Sequence, residues 1–78
     1  MRPKELQCVV TFRTTTEAMQ LEETAREAGF GGRLIPVPRE ISAGCGLAWK
    51  EAMASRMALE ALMAEKKLGY DSIYEIVI

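Results

Sequence analysis

The chain has 78 residues, 49% of them hydrophobic and 27% charged, and its 10 Lys and Arg against 11 Asp and Glu give a formal net charge of −1. These fractions belong to a folded globular domain rather than a disordered or collagen-like chain, and a chain this short buries only about 60% of its unfolded surface, so residues 1–78 are read as one domain with a thin stability margin. The charge balance excludes a general nucleic-acid binder, which needs a surplus of Lys and Arg to neutralise phosphates.

Nothing approaches the roughly 20 apolar residues of a membrane span. The basic start "MRPKELQCVV" is followed by neither the apolar segment nor the cleavage site of a signal peptide. A cytoplasmic location is therefore expected, where thiols stay reduced.

Leu6 to Phe12, "LQCVVTF", alternates apolar side chains at Leu6, Cys8, Val10 and Phe12 with Gln7 and Thr11 between them, which predicts a half-buried strand. Cys8 falls on its core face and is read as a small hydrophobe. Thr14 followed three places later by Glu17 fits a capping box. Ala18, Leu21, Ala25 and Ala28 then form an apolar stripe at helical spacing, and Gly29 supplies a left-handed stop. "GRLIPVP" reads as a second short strand, ended by prolines that cannot donate to a ladder. "GLAWK" is compatible with a third strand. From about Met53 to Leu68 the spacing predicts a second helix with Ala54, Met57, Ala58, Ala61, Leu62 and Leu68 on its buried side. Lys66 and Lys67 sit at its C-terminal end, and Gly69 follows. "SIYEIVI" is the final strand.

The order β-α-β-β-α-β predicts a ferredoxin-like α+β fold, a four-stranded antiparallel sheet with two helices on one face. On the last strand Tyr74, Ile76 and Ile78 face one way and Ile73, Glu75 and Val77 the other. Helices on one face only would leave a patch of Val9, Ile73 and Val77 exposed, suited to a homodimer through the sheet face.

Chemistry concentrates in "PVPREISAGCGLAWK", Pro36 to Lys50, where Cys45 stands between Gly44 and Gly46 in a chain with 2 cysteines and no histidine. This loop is longer than a tight hairpin needs. Strands one and two run parallel, which brings Cys45 toward the N-terminus of the first helix, Arg13 to Thr16. Helix-terminal amides, with Arg39 and Arg13, would stabilise a thiolate, the reactive form of cysteine. The two glycines would leave the sulfur unshielded and let backbone amides approach an anion or chalcogen. The "GCG" spacing equally fits a small residue at a strand start between glycines that meet turn geometry. Arg39 equally fits a solvated loop arginine, and Thr14 and Thr15 helix caps.

Cys8 begins a strand that spans roughly 17 Å, whereas a disulfide needs Cα atoms within about 7 Å, so a Cys8–Cys45 bridge is not expected. Two separated cysteines without histidine cannot make a usual zinc or iron–sulfur site. No P-loop or dinucleotide fingerprint is present, and the sheet aromatics of RNA-recognition domains are missing from strands one and three. No metal or organic cofactor, no nucleic acid and no membrane partner is therefore expected.

The segments "VPREISAGCGLA", "VVTFRTTTEAMQLEETAREAGFGGRLIPVPREI" and "LGYDSIYEIVI" together resemble the small selenium/sulfur (Se/S) carrier-like family over nearly the whole chain. The resemblance implies that the family's cysteine is Cys45, followed by Gly46, Leu47 and Ala48. It also implies a role in selenium metabolism. Cys45 would accept sulfur or selenium from a donor protein as a persulfide or selenopersulfide and pass it to an acceptor, as a carrier rather than a standalone enzyme. Arg39, Gly44, Gly46, Thr14 and Thr15 would support it. The segment "EAMASRMALEALMAEKK" is richer in alanine and methionine than that family's pattern. From the residues alone, the alternative is a non-catalytic interaction or dimerisation module.

Overall fold

A computed structural model describes residues 3–41 and 45–78. The elements run β1 (Leu6–Thr11), α1 (Thr15–Glu27), β2 (Arg33–Pro36), β3 (Leu47–Ala52), a 3₁₀ turn (Met53–Ser55), α2 (Arg56–Glu65) and β4 (Ser72–Val77). All strand pairs are antiparallel and the sheet order is β2-β3-β1-β4. This is the ferredoxin-like α+β arrangement that the element order predicts. Among the described residues no helix is long and apolar enough to cross a membrane.

Both ends of α1 follow from local chemistry. Thr14 is the N-cap, and its hydroxyl accepts the Glu17 amide at 3.2 Å. Glu17 reaches back to accept the amide of Arg13 at 2.9 Å, so the capping pair satisfies donors that the helix cannot. At the other end Gly29 takes φ +87. The Gly29 amide donates to Arg26 O and the Phe30 amide to Ala25 O. That is the paired closure of a Schellman motif, with the glycine in the left-handed position. Ala18, Leu21 and Ala25 are buried, while Ala28, the last member of the predicted stripe, is exposed as the C-cap.

The second helix differs from its predicted form. It is shorter, and Leu59 and Met63 are its buried residues. Ala54, Met57, Ala58 and Ala61 are exposed, Met57 at 83%. Leu62 and Leu68 do pack against the core. Apolar residues surround this helix on almost every side, so spacing gives little contrast between its faces. Side-chain volume decides instead: Leu59 and Met63, one turn apart, fill the space above the sheet, and alanines there would leave a cavity. The helix closes with the same motif as α1, the amides of Lys67 and Leu68 donating to Ala64 O and Met63 O. The left-handed position is Lys67, at φ 54, two residues before Gly69.

The helix side of the sheet carries Cys8, Val10, Phe12 and Trp49, packed with Ala18, Leu21, Ala25, Leu59 and Met63. Full burial of side chains such as Leu21 and Leu59 contributes roughly 1.5–3 kcal/mol each. The opposite face is not open as predicted. Ile41, 8% exposed, folds back onto it and packs with Val9 and Ala48, with Ile35, Val37, Ile76 and Ile78 around them. The Ile41 amide donates to Pro38 O at 3.0 Å, so Pro38 to Ile41 forms a turn that returns the chain to the sheet. The length of the loop thus has a packing role.

The predicted sheet-face patch does not form. Val9 is fully buried and pairs with Tyr74, while Ile73 pairs with Val10 and packs on the helix-side core. Val9 and Ile73 therefore lie on opposite faces.

Candidate functional site

Cys45 precedes β3, and the β1–β3 register places its surroundings. Gln7 pairs with Ala52 and Thr11 with Ala48. The same register continued past Thr11 runs toward Cys45 on one strand and the α1 cap on the other. The turn before β4 reaches this end too, the Asp71 amide donating to Thr11 O at 2.7 Å. The thiol therefore emerges at the sheet end where α1 begins, as the topology predicts.

The sulfur is half-buried, packed against the edge of the helix-side core. Its immediate polar partner is local. The Leu47 amide donates to Cys45 Sγ at 3.4 Å, and the thiol can donate to Leu47 O at 3.5 Å. An amide aimed at sulfur gives electrostatic support to negative charge there. This donor is absent from the sequence reading, which looks to helix amides and guanidinium groups. A bend of two residues between sulfur and amide carries no side-chain signature, because any residue supplies the same N–H.

Of the two guanidinium groups expected around the thiol, that of Arg13 is committed elsewhere. Arg13 pairs with Glu17 at 2.8 Å. Its side-chain and backbone hydrogen bonds hold the Glu17 carboxyl below the usual range. Gly69 closes against this pair: an added Cβ would collide with a Glu17 carboxylate oxygen and approach Arg13 Nη2 to 3.1 Å. The Thr14 hydroxyl caps α1 and Thr15 opens the helix, exposed. Arg39 is exposed in the Pro38–Ile41 turn and has no hydrogen bond or ion pair among the described residues. Gly46 takes φ +79, and a Cβ added there would meet nothing within 4 Å. The left-handed turn at this position favours glycine. Gly44 lies outside the described residues.

The other thiol is chemically opposite. Cys8 is fully buried, its register partners are Glu51 and Glu75, and burial pushes its thiol up, with Arg56 opposing and Glu60, Glu51 and Glu75 adding to the rise. Nearby, Trp49 Nε1 donates to the buried Glu51 carboxylate at 3.1 Å. Trp49 and Glu51 share a face because they stand two apart on one strand. A concavity of about 740 Å³, lined by residues including Gln7, Arg33 and Lys50, lies at the far end of the sheet from Cys45. Cys45 is not among the residues that line it.

Comparison with curated proteins and with solved structures gave no match. Residues 7–75 match the family model described as "putative Se/S carrier protein-like", a span that takes in both cysteines, the loop that delivers Cys45, and every strand residue except Leu6, Ile76 and Val77. On that match the chain belongs to the putative Se/S carrier protein-like family.

Proposed function

We propose that the chain carries sulfur or selenium on Cys45. The thiolate of Cys45 attacks the terminal sulfur of a donor persulfide, R–S–SH. A new S–S bond forms at Cys45, the donor's S–S bond breaks, and the donor leaves as R–S⁻ while Cys45 becomes Cys–S–SH. No net oxidation occurs. A thiolate on an acceptor reverses the step, and R–S–SeH delivers selenium by the same route. Rates of such exchange follow thiolate fraction, access and leaving group.

The single observation that carries this reading is the contrast between the two thiols. Cys45 is half-buried at a sheet end with an amide directed at its sulfur, whereas Cys8 is sealed in the core. Chemistry at sulfur then belongs to one position. Leu47 N–H supports charge on Sγ, Gly46 sets the turn that presents it, and Arg39, exposed in the same loop, is available to an approaching donor or acceptor. Thr14 and Thr15 act through α1, holding the neighbouring helix start in place. Gly44 completes the glycine pair that flanks Cys45 in the sequence. Donor and acceptor are proteins bearing reactive sulfur or selenium, and the site of action is the reducing cytoplasm.

The test is loading by a low-molecular-weight persulfide, with sulfane sulfur quantified as thiocyanate after cyanolysis. Wild type should hold close to one sulfane sulfur per chain and Cys45→Ser none. Equal loading of wild type and Cys45→Ser would end the proposal.

A further inference from the structure

We propose that the open edge of β4 is a self-complementary surface through which two copies of the chain pair into one continuous eight-stranded sheet. The two edges of the sheet are built differently. β2 is four residues long, follows Gly31 and Gly32, carries Arg33 and ends at Pro36. Short length, charge and proline are the devices that blunt an edge against pairing. β4 is six residues long, "SIYEIV", without glycine or proline and with one charged side chain. Tyr74 is 36% and Val77 53% exposed.

The hydrogen-bond phase shows which groups are free to pair. Glu5 and Ile78 exchange both backbone bonds, at 3.2 and 3.0 Å. Bonded pairs alternate with unbonded ones along an antiparallel ladder, so in the register Gln7–Ile76 and Val9–Tyr74 the even-numbered residues of β4 bond to β1. The N–H and C=O groups of Ile73, Glu75 and Val77 then point to the open edge.

A two-fold axis through Glu75, perpendicular to the sheet, puts Ile73 opposite the partner's Val77 and Tyr74 opposite the partner's Ile76. Every aliphatic or aromatic side chain then meets another. Moving the axis to Tyr74 would set Ile73 against the partner's Glu75 and lose that match. The one like-charged contact is Glu75 with the partner's Glu75. Each carboxylate is already bound within its own chain by Arg56, at the start of α2, which supplies a guanidinium on each side of the axis.

The geometry leaves the thiol out of the interface. Cys45 precedes β3, which is separated from β4 by β1, and the two-fold axis sends the two thiols to opposite ends of the joined sheet. Pairing and carrier chemistry are therefore separable. An edge ladder of this length falls below the roughly 1,200–2,000 Å² of standard stable interfaces, so the dimer is of the weak, reversible class.

Sedimentation equilibrium from about 10 µM to about 1 mM chain reads association in that class. Wild type should rise from monomer toward dimer mass. Val77→Lys places an ammonium opposite the partner's Ile73, and Val77→Pro removes an outward N–H while sparing the bonds to β1. Each should weaken dimerisation at least tenfold with an unchanged circular dichroism spectrum. If the proline variant fails to fold, the lysine variant carries the test, because it alters an exposed position. Met57→Lys, on the outer face of α2, should leave association unchanged. In a Cys45→Ser background, Tyr74→Cys/Ile76→Cys should oxidise to a disulfide-linked dimer and Tyr74→Cys alone should not, which reads the register. Wild type that stays monomeric to 1 mM, or a dimer that survives both Val77 variants or is lost on Met57→Lys, overturns the proposal.

Discussion

Replacing Gly32 by alanine adds one methyl group to the most crowded point of the sheet. A Cβ there would collide with Lys50 O and lie 2.6 Å from Glu51 Oε1 and 2.7 Å from Trp49 Nε1. Those last two atoms form the buried hydrogen bond between Trp49 and Glu51, so strand backbone and a buried carboxylate would have to move together. Overpacking of this kind costs about 1–3 kcal/mol, and weakening a hydrogen bond to a charged group about 1.5–3 kcal/mol more. For a domain of 60–100 residues each kcal/mol shifts Tm by about 4–8 °C, so the melting temperature of Gly32→Ala should fall by at least about 10 °C. Gly31 is the internal control, since a Cβ there meets nothing within 4 Å and its φ is not positive. Gly31→Ala should be neutral or gain up to about 1 kcal/mol through the unfolded chain. Urea unfolding followed by the fluorescence of the single tryptophan gives both values, with midpoint and slope read separately. A Gly32→Ala midpoint equal to that of Gly31→Ala would refute the packing described for Trp49 and Glu51.

Leu59→Ala should cost about 2–5 kcal/mol and Met57→Ala less than about 0.5 kcal/mol, measured by urea unfolding, which reverses the order that the predicted apolar stripe implies. Lys67→Gly relieves a left-handed residue and should raise stability by about 1 kcal/mol, read as a higher Tm. Glu17 has a folded-state pKa below its unfolded value, chiefly through Arg13. Its contribution is present above the unfolded value and lost as pH falls through the folded one, so acid titration of stability should flatten in Glu17→Gln across and below the ordinary glutamate range. Cys8, pushed up by burial, should resist iodoacetamide in the native protein and react once the chain unfolds, with peptide mapping as the readout.

Local chemistry made much of the fold legible in the sequence. The alternation at Cys8, Val10 and Phe12 needs only the two-residue period of a strand, and the Thr14–Glu17 cap and Gly29 stop need only neighbours within a turn or two. Features set by distant packing were not legible. The burial of Ile41 beneath Val9 and Ala48 joins a loop residue to strands far away in the chain, and no periodicity announces it. The face of α2 was misassigned because Ala54, Met57, Ala58 and Ala61 have the same spacing as a core stripe but too little volume, Met57 apart, to fill the space that Leu59 and Met63 occupy.

At the candidate site, the position of Cys45 at the sheet end followed from topology. Its donor, the Leu47 amide, did not, because backbone N–H groups are common to every residue. The pairing of Arg13 with Glu17 at the α1 cap places its charge on a carboxylate rather than on the thiol.

The central claim is that one of the two thiols takes up the chalcogen. Intact mass followed by peptide mapping, after exposure of the native protein to a persulfidated cysteine-desulfurase donor, tests it most directly. The predicted result is a single added sulfur on the peptide that contains Cys45, retained in Cys8→Ser and missing from Cys45→Ser. An adduct on the Cys8 peptide, or no adduct while the donor remains charged, would contradict the account.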